Sequence, residues 1–335
     1  MSQVTITDLL RGCSLGRMQT SGIMQVLPLV SEIHDERFVS PVSAGTVWTN
    51  NYGEMEFRNQ SDKTMLIPSN ATYIVNQKAQ DHAMATAGLV GKNTRKNYVN
   101  AMCVQETQGN YISEGNHEMT LLPYSLREAA FERRNLNHSC GKIWSDIAGL
   151  LRETNSGHGG HLHHFMDAFE KELDQFVAEF ECVTNQVGAI ILINGVVVGI
   201  ERTPSASYFK DVWQPLIREC YGSEAIRVQR SNPVKERLTS DVRKATSLLD
   251  LRQALDEARA QDEEDAKGIV RNLLQAPFST VEEGSSEGVD LLGVSHDQFV
   301  GQVVKDGAQA VYVSIISTHS WNKNTKWRKA DAFTL

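Results

Sequence analysis

The chain reads as an α+β protein with a β-rich N-terminal layer, central helices, and then a β-hairpin and C-terminal strands. Three observations carry that expectation. The first 125 residues hold short runs of β-formers separated by Asn, Gly, Ser and Pro. From Ser125 the apolar residues recur at helical spacing instead. Further on, "QVGAIILINGVVVGIE" sets two β-branched runs around Asn194-Gly195, the dipeptide a type I′ turn favours because both central residues need positive φ.

The expected strands of the first part are "GIMQVLPLV", "GTVWTNN", "EMEFRNQ", "KTMLIPSNATYIV" and "NYVNAMCVQE". They suggest one antiparallel layer, with "RNQSDKTMLI" as a hairpin connection. Ser125 with Glu128 three residues on matches a capping box opening the first helix. Ile143, Ile147, Leu150 and Leu151 mark a second helix, and Phe165, Phe169, Leu173, Phe176, Val177 and Phe180 a third, core-facing one.

The Asn194-Gly195 hairpin has almost wholly apolar arms, so it is expected to lie centrally and be covered on both faces. A helix follows in "SASYFKDVWQPLIRECYG", kinked or divided at Pro215. A long charged helical stretch runs from Thr239 to Gln275, and its acidic run reads as a solvated face. "TVEEGSSEGVD" is expected to be a loop, before two strands around Asp306-Gly307.

One α+β domain over 1–335 accommodates these elements: a β-rich part (1–124), a mixed part (125–320) and a basic aromatic tail (321–335). Two closely associated domains meeting near Ser125 are the alternative. The 335 residues are 41% hydrophobic and 22% charged, ordinary for a protein with a packed core. A net charge of −8 argues against a broad nucleic-acid surface. No run approaches the ~20 apolar residues of a membrane span, and the N-terminus lacks a secretion-signal pattern, so a cytoplasmic location is expected. Five dispersed cysteines without a CxxC pair suit reduced, buried thiols.

The densest local signal is "NSGHGGHLHHF", with four of the ten histidines between His158 and His164. Its plainest reading is a helix start carrying solvent-exposed histidines. A glycine-rich loop opening a helix also presents free amides to an anion, which makes Ser156, His158, Gly159 and Gly160 candidate ligand-binding residues. Imidazoles can instead ligate a divalent metal. His161 and His164 are the candidate pair, with His158, Asp167 or His82 as a third ligand.

In "NQKAQDHAM", Lys78 and Gln80 are candidate ligand contacts, and Asp81 and His82 are candidate catalytic groups for proton transfer. Adjacent residues seldom face each other, so the pair would need help from elsewhere. Glu106 is a third catalytic candidate, a carboxylate at a strand end. Cys103 is a weaker nucleophile, since an apolar strand usually buries its thiol as a small hydrophobe. The tail pairs Trp321 and Trp327 with basic residues, and docking on its own domain or a neighbouring subunit explains it better than nucleic-acid binding.

Several stretches together resemble a domain family of unknown function named for its association with ADP-ribosylglycohydrolases and rhodanese-phosphatase proteins. They are "LGRMQTSGIMQVLPL", "FRNQSDKTMLIPSNATYIVNQKAQDHAM", "VNAMCVQE", "QVGAIILINGVVVGIERTPSASYFKDVWQPLIREC" and "GVDLLGVSHDQFVGQVVKDGAQAVYVSII". The resemblance runs from Leu15 to Ile316. Where the family tends to have arginine after Gln-Asn/Asp, this chain has His82. Where it tends to have a Ser-Ser-Thr-Gly-like helix start, this chain has the histidine loop. The implied context is ADP-ribose or NAD metabolism, by association alone. The expected function is binding, with processing as a further option, of an ADP-ribose-like or other phosphate-bearing nucleotide. The alternatives are a non-enzymatic homo-oligomeric assembly protein and a metal-dependent hydrolase using the histidine loop.

Overall fold

The computed structural model describes residues 2–49, 51–74, 81–106, 117–134, 143–231 and 245–318. Lys78, Gln80, Cys140 and the tail from Trp321 lie outside them. The fold is mixed α+β, as expected. A ten-stranded antiparallel sheet forms its centre, starting from Ser2–Thr5 and continuing through Pro277–Ser286, Val289–His296, Phe299–Asp306 and Gln309–Ser317. The expected hairpin, Gln186–Ile193 and Val196–Arg202, comes next, followed by Met24–Val30 and Ser14–Leu15. Gln19–Ser21 also pairs with Met24–Val30.

The hairpin lies where its composition places it. Asn194 and Gly195 have φ of 52° and 76°, the backbone a type I′ turn needs. Alternate side chains then enter two different cores. Ile190, Leu192, Val197 and Ile200 pack with Ala266, Val270 and Leu273 at the end of the helix Leu248–Leu274. Ile191, Ile193 and Val198 pack on the other side with Tyr208, Phe209, Trp213 and Tyr221. Burying one such large apolar side chain is worth about 1.5–3 kcal/mol, so these two faces anchor the sheet.

The first 124 residues depart from a single antiparallel layer. Apart from Ser2–Thr5, Met24–Val30 and the short strands beside the latter, the described residues there make three small sheets, one of which contains the parallel pair Phe38–Val39 and Thr64–Ile67. Met55–Asn59 and Thr64–Ile67 are not partners across "RNQSDKTMLI": the first pairs with Gly45–Trp48 and Arg95–Tyr98, the second with Gly88–Val90. The Asn59 amide redirects the chain, since its Nδ2 donates to the carbonyls of Lys63, Val90 and Gly91 at 2.7–3.1 Å.

Two other expectations are corrected. The helix Tyr124–Glu132 starts after Pro123, not at Ser125, because the fixed proline φ (here −46°) already sets the entry and no side chain caps it. "TVEEGSSEGVD" is a hairpin, with Glu287 and Gly288 at φ 55° and 77° as its turn. Its polar residues reflect a largely solvated strand, with only Ser2–Thr5 beyond it in the sheet among the described residues. Pro215 divides its helix as expected: the α-helix Ala206–Pro215 gives way to a π-helical stretch, Leu216–Gly222, and then to Ser223–Ser231. A residue without an amide donor cannot close the regular ladder, and a widened turn accommodates the gap.

Candidate functional site

The histidine loop links two helices. Trp144–Thr154 ends with Asn155 in the left-handed region at φ 54°, and the Ser156 amide donates to the Leu151 carbonyl at 2.9 Å. The Ser156 hydroxyl sits 2.8 Å from that of Thr154, so its contacts are those of a helix end. Gly159 has φ 75°, which favours glycine, and a Cβ there would lie 2.9 Å from a Glu106 oxygen. His158 is exposed. The next helix, Leu162–Ala168, begins at His161 with no side-chain cap.

The loop does hold an anion, and the chain supplies it. Gly160 donates its amide to Glu106 Oε2 at 2.7 Å. Main-chain bonds fix the neighbourhood: Leu162 N–H donates to the Val104 carbonyl at 3.0 Å, and Val104 N–H to the Asp81 carbonyl at 2.9 Å. Gln105 bridges His161 in antiparallel fashion. This ladder carries His163 to Asp81, with Nδ1 3.6 Å from Oδ2. That is an ion-pair distance, longer than a good hydrogen bond. The Asp81 side chain is 3% exposed and that of His163 21%.

The two imidazoles around this point are driven apart in pKa. The Asp81 carboxylate raises that of His163, outweighing burial. His161 is lowered, first by burial and then by the neighbouring His164 and His163. The three rings touch, with centroids 4.5–5.7 Å apart. Nδ1 of His161 and of His164 is buried without a hydrogen-bond partner. Among the described residues no group of three His, Cys, Asp or Glu side chains is arranged to hold a metal ion.

His82 takes no part in this cluster. It is fully buried in the short strand His82–Ala83, where Nε2 accepts from the Gly53 amide at 3.4 Å and lies 3.4 Å from Cys103 Sγ. Cys103 is disulfide-bonded, which corrects the expectation of reduced thiols at that position, while Cys13, Cys182 and Cys220 are free. A sulfur held in a disulfide is no thiolate nucleophile.

His163 opens onto a cavity of about 810 Å³. His163 and Asp167 on one helix and Glu170 and Asp174 on Glu170–Glu179 form one wall. Asp211, Arg218 and Glu219, on the helix and π-helical stretch after Ser205, form another. Burial raises the Glu219 carboxyl, with Arg218 pulling the other way. Sequence reasoning singled out neither His163 nor these carboxylates, apart from Asp167 as a candidate third metal ligand. A signal for part of the wall was present, since positions 167, 170 and 174 follow i, i+3, i+7 spacing.

No described helix is long and apolar enough to cross a membrane. No curated protein and no solved structure matches the chain. A family model does match, over residues 12–315, nearly the span of the resemblance read from the sequence. With that coverage the chain belongs to the ARPP-1 family, the ARG and Rhodanese-Phosphatase-superfamily-associated Protein domain.

Proposed function

We propose that this protein binds a small ligand in the cleft beside His163 and that the Asp81–His163 pair moves a proton on it. The carrying observation is that pairing itself: a buried carboxylate orients an imidazole that lines an 810 Å³ cavity. With Nδ1 turned to Asp81, Nε2 is the ring nitrogen left to take a proton from a hydroxyl or a water. The volume lies within the ~300–1,000 Å³ usual for small-molecule sites. The ligand class we propose is an ADP-ribose-like or other phosphate-bearing nucleotide. Support comes from the family's printed associations, from carboxylates able to accept from ribose hydroxyls, and from exposed Lys210 as a phosphate contact.

Calorimetric titration with ADP-ribose tests this reading. Binding weakened by His163→Ala and untouched by Lys267→Ala is expected. The absence of any binding heat would remove the nucleotide assignment.

One feature favours a second, non-enzymatic reading as a homo-oligomer. Leu248 and Leu249, at the start of the helix Leu248–Leu274, are 86% and 74% exposed. Light scattering reporting a monomer, unchanged by replacing both leucines with serine, would count against it.

A further inference from the structure

We propose that Cys103 is a site of thiol–disulfide exchange with a dithiol, and that its redox state governs the Asp81–His163 pair. The exchange stands on its own, whereas its effect on function rests on that pair being the working site. Cys103 is fully buried in the short strand Met102–Cys103, and its sulfur is held in a disulfide. Cys13, Cys182 and Cys220 are free, so the bond does not belong to a dense framework of the kind that staples a small core. Its neighbour sets it apart: Nε2 of the equally buried His82 lies 3.4 Å from Cys103 Sγ. The two residues stand opposite each other in an antiparallel pair of strands, with Ala83 opposite Met102.

A disulfide sulfur has no proton to give. Once reduced, the Cys103 thiol can donate to His82 Nε2 or, with the proton moved across, stand as a thiolate beside an imidazolium. Either contact exists only in the reduced form, and stabilising the reduced form makes a disulfide a stronger oxidant, easier to open. Because Cys103 is buried, the attacking thiolate of the dithiol takes the other sulfur of the bond. The S–S bond breaks with its electron pair left on Cys103 Sγ, and a mixed disulfide forms at the other sulfur, which the dithiol's second sulfur then displaces. The dithiol ends oxidised to a disulfide. Its two protons end on the two protein sulfurs, with His82 placed to hold the one bound for Cys103.

The same strands carry the site. Val104, next to Cys103, donates its amide to the Asp81 carbonyl at 2.9 Å and accepts from the Leu162 amide at 3.0 Å. Asp81 precedes His82 in the chain, and Leu162 precedes His163. Cys103 and His82 are therefore each one residue from a link that holds the carboxylate to its imidazole. A new charge or hydrogen bond between them reaches the pair through this ladder.

The test equilibrates the full chain in buffers graded from oxidised glutathione to dithiothreitol, traps thiols by acid and alkylation, and follows Cys103 by peptide mass spectrometry. The His163 ring resonance is titrated with pH in the oxidised and the reduced protein, and in Asp81→Asn. The expected result is a Cys103 cross-link that dithiothreitol opens while the protein stays folded, and a His163 midpoint that differs between the two states. Cys103→Ser, whose hydroxyl can also donate to His82, should hold His163 near its reduced value. His82→Phe should make the bond about tenfold harder to reduce, a potential ~30 mV lower, as the loss of one hydrogen bond predicts. No cross-link to Cys103 in oxidised glutathione, or one that opens only on unfolding in urea, would overturn the exchange, and both are read on wild type. Equal ease of reduction in a folded His82→Phe would overturn it too. Exchange with an unchanged His163 titration would overturn the control and leave the pair standing, so long as Asp81→Asn still moves that titration. An Asp81→Asn titration identical to wild type would remove the pair, and the control with it.

Discussion

The Asp81 carboxylate stands 3.6 Å from Nδ1 of His163, although the two residues arrive on separate elements and Asp81 is followed in the chain by another histidine. Because the pairing raises the His163 pKa, its stabilisation is complete below the ordinary histidine value of 6.5 and is lost as pH rises through the raised one. Asp81→Asn should therefore lower the melting temperature more at acidic than at alkaline pH. Thermal melts across that range check it. His161, lowered first by burial, loses stability as pH falls, and because Asp81 is among the groups that hold it up, removing Asp81 adds to the loss on the same acidic side.

In the core, Arg127 and Glu201 form an ion pair at 2.7 Å with side chains 4% and 7% exposed. Tyr221 Oη donates to the same Glu201 oxygen at 2.7 Å, and Arg127 also donates to Asn70 and Ser314. Removing one partner strands the other charge in the core. Arg127→Met should cost about 3–5 kcal/mol, measured by urea unfolding. Replacing Glu201 with Gln in the same chain should return part of it.

The same network depends on a close approach. A Cβ on Gly199 would lie 1.8 Å from Tyr221 Oη. Gly199→Ala should destabilise by about 1–3 kcal/mol or more, since the tyrosine must leave its place. Chemical denaturation reads the loss, and an unchanged midpoint would mean that Tyr221 sits elsewhere.

Glu106 closes the histidine loop through the Gly160 amide. Being exposed, it should contribute only about 1 kcal/mol. Glu106→Ala should speed hydrogen exchange at Gly160, and Glu106→Gln, which keeps an acceptor oxygen, should do so less.

Much of the fold was legible because its signals are local. Asn194-Gly195 dictates its own turn, and the apolar arms around it dictate burial on two faces. The fate of "RNQSDKTMLI" was not legible, because Asn59 turns the chain by bonding to carbonyls near Gly91, a contact that exists only in the folded molecule. The site was half legible. Asp81, Glu106 and the histidine loop do converge, but strand alternation sends His82 into the core and leaves His163 as the partner. Of the carboxylates at 167, 170 and 174 only Asp167 stood out in the sequence, as a candidate metal ligand, and it is the packing of Ala206–Gly222 opposite them that makes a cleft wall.

The most direct measurement is a histidine-ring NMR titration of wild type and Asp81→Asn, with the His163 resonance assigned by His163→Gln. The account predicts that His163 titrates above 6.5 in wild type and falls back in Asp81→Asn, with a ligand added to the cleft moving its resonance. An ordinary titration, identical in the two proteins and indifferent to ligand, would contradict the Asp81–His163 pairing on which the proposed chemistry rests.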